Sequence, residues 1–235
     1  MINIFPFEKL GNHNYGWLNA HYHFNFADYF HSKKMGYPPL LVWNDDQIKP
    51  GTGFPMHSHQ NMEIITYVRK GAITHEDSLG NKGVTRAGEI QIMSAGTGIT
   101  HSEYNAEETE THLFQIWIQP NMVNIKPRWE TVNTNFGNQT ELYVLASGQK
   151  DIWNPSLIQI YQDATLYLIK GRKNEQIDYT VDNERQIYFV ISEGNLFLNK
   201  NKIELRSGVY IQQEKQLYFD FVEDSEIVFF DLPEF

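Results

Sequence analysis

Short apolar runs, broken by turns at nearly regular spacing, constrain this chain more than any other feature. From Ile64 to Ile92 the order is strand, Lys70-Gly71 turn, strand, Gly80-Asn81 turn, strand, Ala87-Gly88 turn, strand. Runs rich in Ile, Val, Tyr and Phe with turn residues about every 8–12 positions specify a β-sandwich or barrel. Residues 64–68, 73–75, 89–93 and 112–118 read as strands. A short helix is expected over 24–34, and Asn44-Asp45-Asp46 reads as a turn whose side chains satisfy backbone amides.

The same order returns over residues 186–211, with turns at Glu193-Gly194, 199–201 and Ser207-Gly208. A repeat of this kind implies two copies of one supersecondary unit. The expected fold is therefore all-β: two tandem antiparallel barrels of jelly-roll type with few short helices. Their expected extents are 1–125 and 139–235, joined through a proline- and asparagine-rich linker at 121–138.

The two copies differ in one respect that matters for chemistry. All nine histidines lie at or before His112. Within the first copy, His57-Ser58-His59 and His101-Ser102-Glu103 are both X-x-X pairs. Alternate residues of a strand face the same way, with Cα atoms roughly 6.6 Å apart. Two such pairs supply four N and O ligands, a set that suits a divalent transition metal better than calcium. Counting from the glycine turns, the corresponding positions of the second copy are Thr180, Asp182 and Phe221. The first barrel should bind the metal and the second should be structural. Gly51, Gly53, Gly96 and Gly98 crowd the approach to the two pairs, where the absence of Cβ permits close backbone contacts.

Composition removes several alternatives. Cysteine is absent, which excludes disulfides, thiolate catalysis and Cys-type zinc sites. The net charge is −10 and no basic stripe is present, so nucleic acid is not an expected ligand. No apolar run approaches the roughly 20 residues of a membrane span and no secretory signal is visible. A cytoplasmic monomer is expected.

Gly51-x5-His57-x-His59-x3-Glu63 resembles the first cupin motif, and Gly88-x5-Ser94-Ala-Gly96 with His101-x3-Asn105 resembles the second. His75-Glu-Asp-Ser-Leu-Gly-Asn81, Gln91-Ile-Met-Ser-Ala-Gly-Thr-Gly-Ile99 and His101-Ser-Glu-Tyr-Asn105 are more specifically similar to the pirin family. Asn44-Asp-Asp46 and Gln115-Ile-Trp-Ile118 extend the resemblance, which covers about 17–120. It implies a bicupin with metal in the N-terminal barrel only, held by His57, His59, His101 and Glu103, with Glu103 rather than Glu63 as the carboxylate. Fe(II) is the implied ion, with Mn, Ni, Cu or Zn as alternatives. The short C-terminal half resembles bacterial pirin-like quercetinases, implying a dioxygenase that opens a flavonol with O2, Glu103 alternating between ligand and base. The alternative implied is a metal-dependent regulatory module that recognises a protein partner without turnover. One departure is Tyr22, flanked by His21 and His23, where the family usually has a histidine.

The remaining conspicuous residues carry plainer expectations. His75 and His112 read as hydrogen-bonded strand residues, with His75 near enough to support the site. His13, His21, His23 and His31 are expected at the surface or the pocket rim. Trp17, Phe24, Phe26 and Trp117 belong to the barrel core or line an aromatic cavity. Glu107-Glu108-Thr-Glu110 reads as a solvated loop.

Overall fold

The computed structural model describes residues 1–133 and 136–234. The chain opens with β1 (Ile2–Phe5) and a 3-10 turn at Phe7–Lys9. The first barrel follows, built from β2 (Gly11–Asn14), β3 (Leu18–Tyr22), β4 (Leu40–Ile48), β5 (Thr52–His59), β6 (Glu63–Lys70) and β7 (Ala72–Asp77). It is completed by β8 (Lys82–Arg86), β9 (Glu89–Ser94), β10 (Ile99–Asn105), β11 (Thr111–Ile118) and β12 (Arg128–Asn133). The second barrel contains β13 (Glu141–Ser147), β14 (Ile158–Gln159), β15 (Thr165–Gly171), β16 (Gln176–Thr180) and β17 (Arg185–Glu193). Its last strands are β18 (Leu196–Leu198), β19 (Asn201–Ile203), β20 (Gly208–Gln212), β21 (Gln216–Phe221) and β22 (Ser225–Pro233).

In each barrel a seven-stranded sheet faces a four-stranded one. The first has the orders β12-β9-β6-β11-β4-β3-β2 and β5-β10-β7-β8; the second has β1-β20-β17-β22-β15-β13-β14 and β16-β21-β18-β19. Both are cupin-type, and the two lists superimpose strand for strand over their central members. Even an irregularity repeats. The register slips between His112 and Leu113 against β6, and between Ile191 and Glu193 against β22, at matching points of the two ladders. The expected repeat is therefore a true structural duplication.

The ladder register also names the equivalent residues. Thr66 pairs with Gln91 and Gln115, and Phe189 pairs with Val209 and Phe229. In the small sheets Glu103 pairs with His75, as Phe219 does with Leu198. His101 faces His57, as Leu217 faces Tyr179. Counting from the turns led to Phe221 for His101, four positions too far, because Gly88 aligns with Arg206 rather than Gly208 and the segment that follows is two residues shorter; it also led to Thr180 for His57, one position past Tyr179.

Four other expectations are corrected. Residues 24–34 form no helix, and no α-helix occurs among the described residues. Phe26 and Tyr29 bridge to each other, Phe24 is buried against Tyr37, and the Asn25 side chain accepts the His31 N–H. Aromatic anchoring outweighs helix propensity there. Asn44-Asp45-Asp46 lies inside β4, fully buried, where Arg69 pairs with Asp45 and supplies the compensation that strand propensity alone ignores. The expected linker at 121–138 contains β12, paired with β9; Thr134 and Asn135 lie outside the described residues. Finally, β1 belongs to the second barrel, pairing with β20, so the first unit begins at Gly11 rather than at residue 1, and Ile160–Gln162 also belongs to it.

Among the described residues no helix is long and apolar enough to cross a membrane.

Candidate metal centre

β5 and β10 are neighbours in the small sheet, and their ladder sets His57 directly opposite His101 and His59 opposite Ile99. A bulge between His101 and Glu103 shifts the register, so that Glu103 lies across from Phe54. Bulges re-aim side chains at functional sites, and here the shift leaves both X-x-X pairs on the inner face. Gly53 makes the approach possible. A Cβ at that position would stand 2.1 Å from the Glu103 carbonyl oxygen.

The three rings converge. Centroids are 4.7 Å apart for His57 and His59, 4.5 Å for His57 and His101, and 5.0 Å for His59 and His101. Their ligand nitrogens lie within 4.8 Å of one another. His57 turns Nδ1 to the Pro55 carbonyl at 2.7 Å, which leaves Nε2 for the centre. His101 Nε2 is buried and has no hydrogen-bond partner among the described residues. An orphaned imidazole nitrogen inside a histidine cluster is what a bound cation would satisfy. Burial pushes His101 down to about 3, with His57, His59 and His75 adding to it. His59 falls to about 4, again through burial first and then His57. Neutral imidazoles are the ligating form, so the donor set fits a transition metal.

Glu103 sits deeper. Thr66 Oγ1 donates to Oε1 at 3.1 Å, and Gln91 Nε2 donates to the same oxygen. Gln115 Nε2 donates to Oε2 at 2.7 Å. Each glutamine is itself oriented: Gln91 Oε1 accepts from Thr85 and from Trp129 Nε1, and Gln115 Oε1 accepts from Trp117 Nε1. The two indoles thus set which way both amides point. Burial raises the Glu103 pKa, opposed by His75, Thr66 and Gln115. Hydrogen bonds to a buried charged group contribute about 1.5–3 kcal/mol each, enough to keep this carboxyl in place. One of its oxygens lies within 4.8 Å of a ring nitrogen of His75 and of His101, a second donor group that shares His101 with the first.

The aromatic residues divide. Trp117 meets His59 edge-on at 5.0 Å and Phe26 meets Trp117 at 5.4 Å. Trp17 touches Phe54, which in turn faces His57. Phe24 is core. His23, expected near the surface, is 3% exposed and packs beside Trp43, whereas His13 and His31 are exposed and His21 is half-buried. Tyr22 is buried in the core of the first barrel. Glu63 takes no part in the histidine cluster; it accepts from Ser94 Oγ at 2.9 Å, and burial raises its pKa to about 7.

Sequence reasoning missed the polar wall of Thr66, Gln91, Gln115, Asn44 and Asp46. Burial, then Asp45 and Glu103, pushes the Asp46 carboxyl well above the usual range. Alternating polar residues on strands whose neighbours are apolar were the available signal.

The chain is also similar to known proteins along its length. The Pirin family profile matches residues 6–118, and that of the quercetinase C-terminal cupin domain matches 144–232. The chain is 43% identical to the pirin-like protein of Caulobacter vibrioides, covering 98% of this chain and 99% of the relative. It is 40% identical to the quercetin 2,3-dioxygenase of Escherichia coli, covering 99% of each. The crystal structure of the bacterial pirin YhhW of Escherichia coli in complex with nickel(II) superimposes with a TM-score of 0.93 at 39% identity, covering all of both chains. The chain belongs to the pirin family.

Proposed function

We propose that this protein is a metal-dependent dioxygenase that opens the ring of quercetin-type flavonols with O2. The metal ligands in this reading are His57, His59, His101 and Glu103, and Fe(II) is the first choice of ion. The observation that carries it is the convergence of three imidazoles, one with a buried unpartnered nitrogen, beside a buried carboxylate. The quercetin dioxygenase and nickel-bound relatives support it.

The ion supplies Lewis acidity toward an enolic hydroxyl and a route for electrons to O2. The chain supplies the rest. Glu103, which accepts from Thr66 and Gln91 on Oε1 and from Gln115 on Oε2, has one acceptor site left, on Oε2, which would alternate between the ion and the proton of the flavonol 3-hydroxyl. A carboxyl raised by burial is a better acceptor near neutral pH than an exposed one. Trp117 and Phe26 form an aromatic wall beside His59 against which a flat ring can lie and from which water is excluded. Ring opening consumes one O2 and yields one carbon monoxide and an ester.

The test is elemental analysis of protein purified without chelator, followed by anaerobic quercetin binding and O2 addition. Carbon monoxide release with ester formation is expected. Metal-loaded protein that binds quercetin and releases none overturns the reading. Glu103→Gln should retain some metal and lose about 10²–10⁴ in turnover; unchanged turnover removes Glu103 as the base.

A further inference from the structure

We infer that Asp77, His75 and His101 form a positioning chain that fixes the tautomer of His101 and presents its Nε2 lone pair to the centre. The inference rests on the metal-site reading above and extends it to residues that do not ligate. Asp77 is anchored first. Its Oδ1 accepts the backbone N–H groups of Leu79 at 2.9 Å and Asn81 at 3.1 Å, and its Oδ2 accepts Asn81 Nδ2 at 2.9 Å. These bonds close the turn between β7 and β8 around the carboxylate.

The proton positions then follow in order. A carboxylate only accepts, so His75 Nε2, 3.0 Å from Asp77 Oδ2, carries the hydrogen. Taken as the neutral imidazole, with a single N–H, His75 uses Nδ1 as an acceptor. It faces His101 Nδ1 at 3.4 Å, which places the His101 hydrogen on Nδ1. His101 Nε2 is left as a bare lone pair, the buried atom without a partner. Carboxylate–histidine supports of this kind orient ligands and raise their basicity.

Trp129 clamps the chain. Its ring stacks on His75 at 4.7 Å with 6° between the planes, and its Nε1 donates to Gln91, which donates to Glu103. One indole therefore steadies both His101 and Glu103. Gly83, opposite His75 in the ladder, makes room for it, since a Cβ there would lie 2.3 Å from the ring.

Long-range proton–nitrogen correlation spectra of the metal-free, ¹⁵N-histidine-labelled protein decide the point directly. His101 should be the Nδ1–H tautomer and His75 the Nε2–H tautomer; an Nε2–H on His101 overturns the inference. Nickel(II) titration calorimetry gives an independent reading. His75→Phe keeps a ring under Trp129 but removes the acceptor, so affinity should fall about 10–100-fold. His75→Gln, whose amide oxygen can accept from His101 Nδ1, should recover most of it. Wild-type affinity in the Phe variant, or a Gln variant no better than Phe, also overturns the inference. A wild-type chain that binds no nickel would instead sink the metal reading, and the spectra of the metal-free protein would still decide the tautomer.

Discussion

Glu103 and Phe219 occupy the same register position in two copies of one barrel. Around Glu103 stand Thr66, Gln91 and Gln115; around Phe219 stand Phe189, Val209 and Phe229, all in one apolar cluster. Phe189 and Phe229 meet Phe219 at 5.6 and 6.3 Å. One copy holds a carboxylate with its donors where the other holds an apolar core. A buried polar group is tolerated only with its partners, so the whole set changes together.

Phe219→Glu should therefore be far worse than its size suggests. The new carboxylate would find no donor among the three equivalent side chains, and an uncompensated buried charge costs about 3–5 kcal/mol. Urea unfolding of the variant would show it; a midpoint within error of the wild type would refute the equivalence.

Metal binding should stabilise the first barrel in a ligand-dependent way. With free nickel(II) at 100 times its Kd, the gain is about 2.7 kcal/mol, seen as a rise in Tm of several degrees. His59→Ala should abolish both the rise and the binding heat, and chelation should lower the wild-type Tm to that of the metal-free chain. Retention of full binding by His59→Ala would remove it from the ligand set.

Gly53→Ala tests the backbone approach rather than a ligand. Its Cβ meets the Glu103 carbonyl, so β5 must move off β10. Overpacking of this kind costs about 1–3 kcal/mol. Nickel affinity should fall although every ligand side chain is intact, which calorimetry beside a denaturant curve will read.

Glu63 makes stability depend on pH in a stated direction. Folded, it holds its proton to about pH 7, against 4.5 for the ordinary group. Between those values the native chain binds more protons than the unfolded one, so this contribution is full below pH 4.5 and is lost as pH rises to 7. The loss is on the order of 3 kcal/mol. Glu63→Gln should remove that slope, so that its stability relative to wild type improves between pH 5 and pH 8. Parallel slopes in the two proteins would contradict it.

Much of this was legible in the residues. The glycine turns marked the strands on either side of 71, 80 and 88 because a tight reversal needs particular residue types, whatever the tertiary context. His57, His59, His101 and Glu103 stood out because strand alternation is a local rule, and the structure brings the three histidines together on that basis. What was not legible depends on distant partners. Asn44 to Asp46 looks like a turn until Arg69 is seen beside Asp45. His23 looks like a surface residue until Trp43 covers it. β12 hides among prolines and asparagines because its strand character comes from pairing with β9. The pairing of His75 with Asp77 is a simple i, i+2 relation, yet its meaning waits on the ring of His101.

The pairing of β1 with β20 has a consequence for how the molecule is made. Ile2 leaves the ribosome long before Ile211, its partner. At about 5–20 residues per second, that strand waits on the order of ten seconds or more without its ladder. The histidine-bearing barrel, whose strands run without interruption from Gly11 to Asn133, can close during that interval. These early residues are thus among the last to find their place, and a fusion joined ahead of β1 would burden the barrel that carries no histidine.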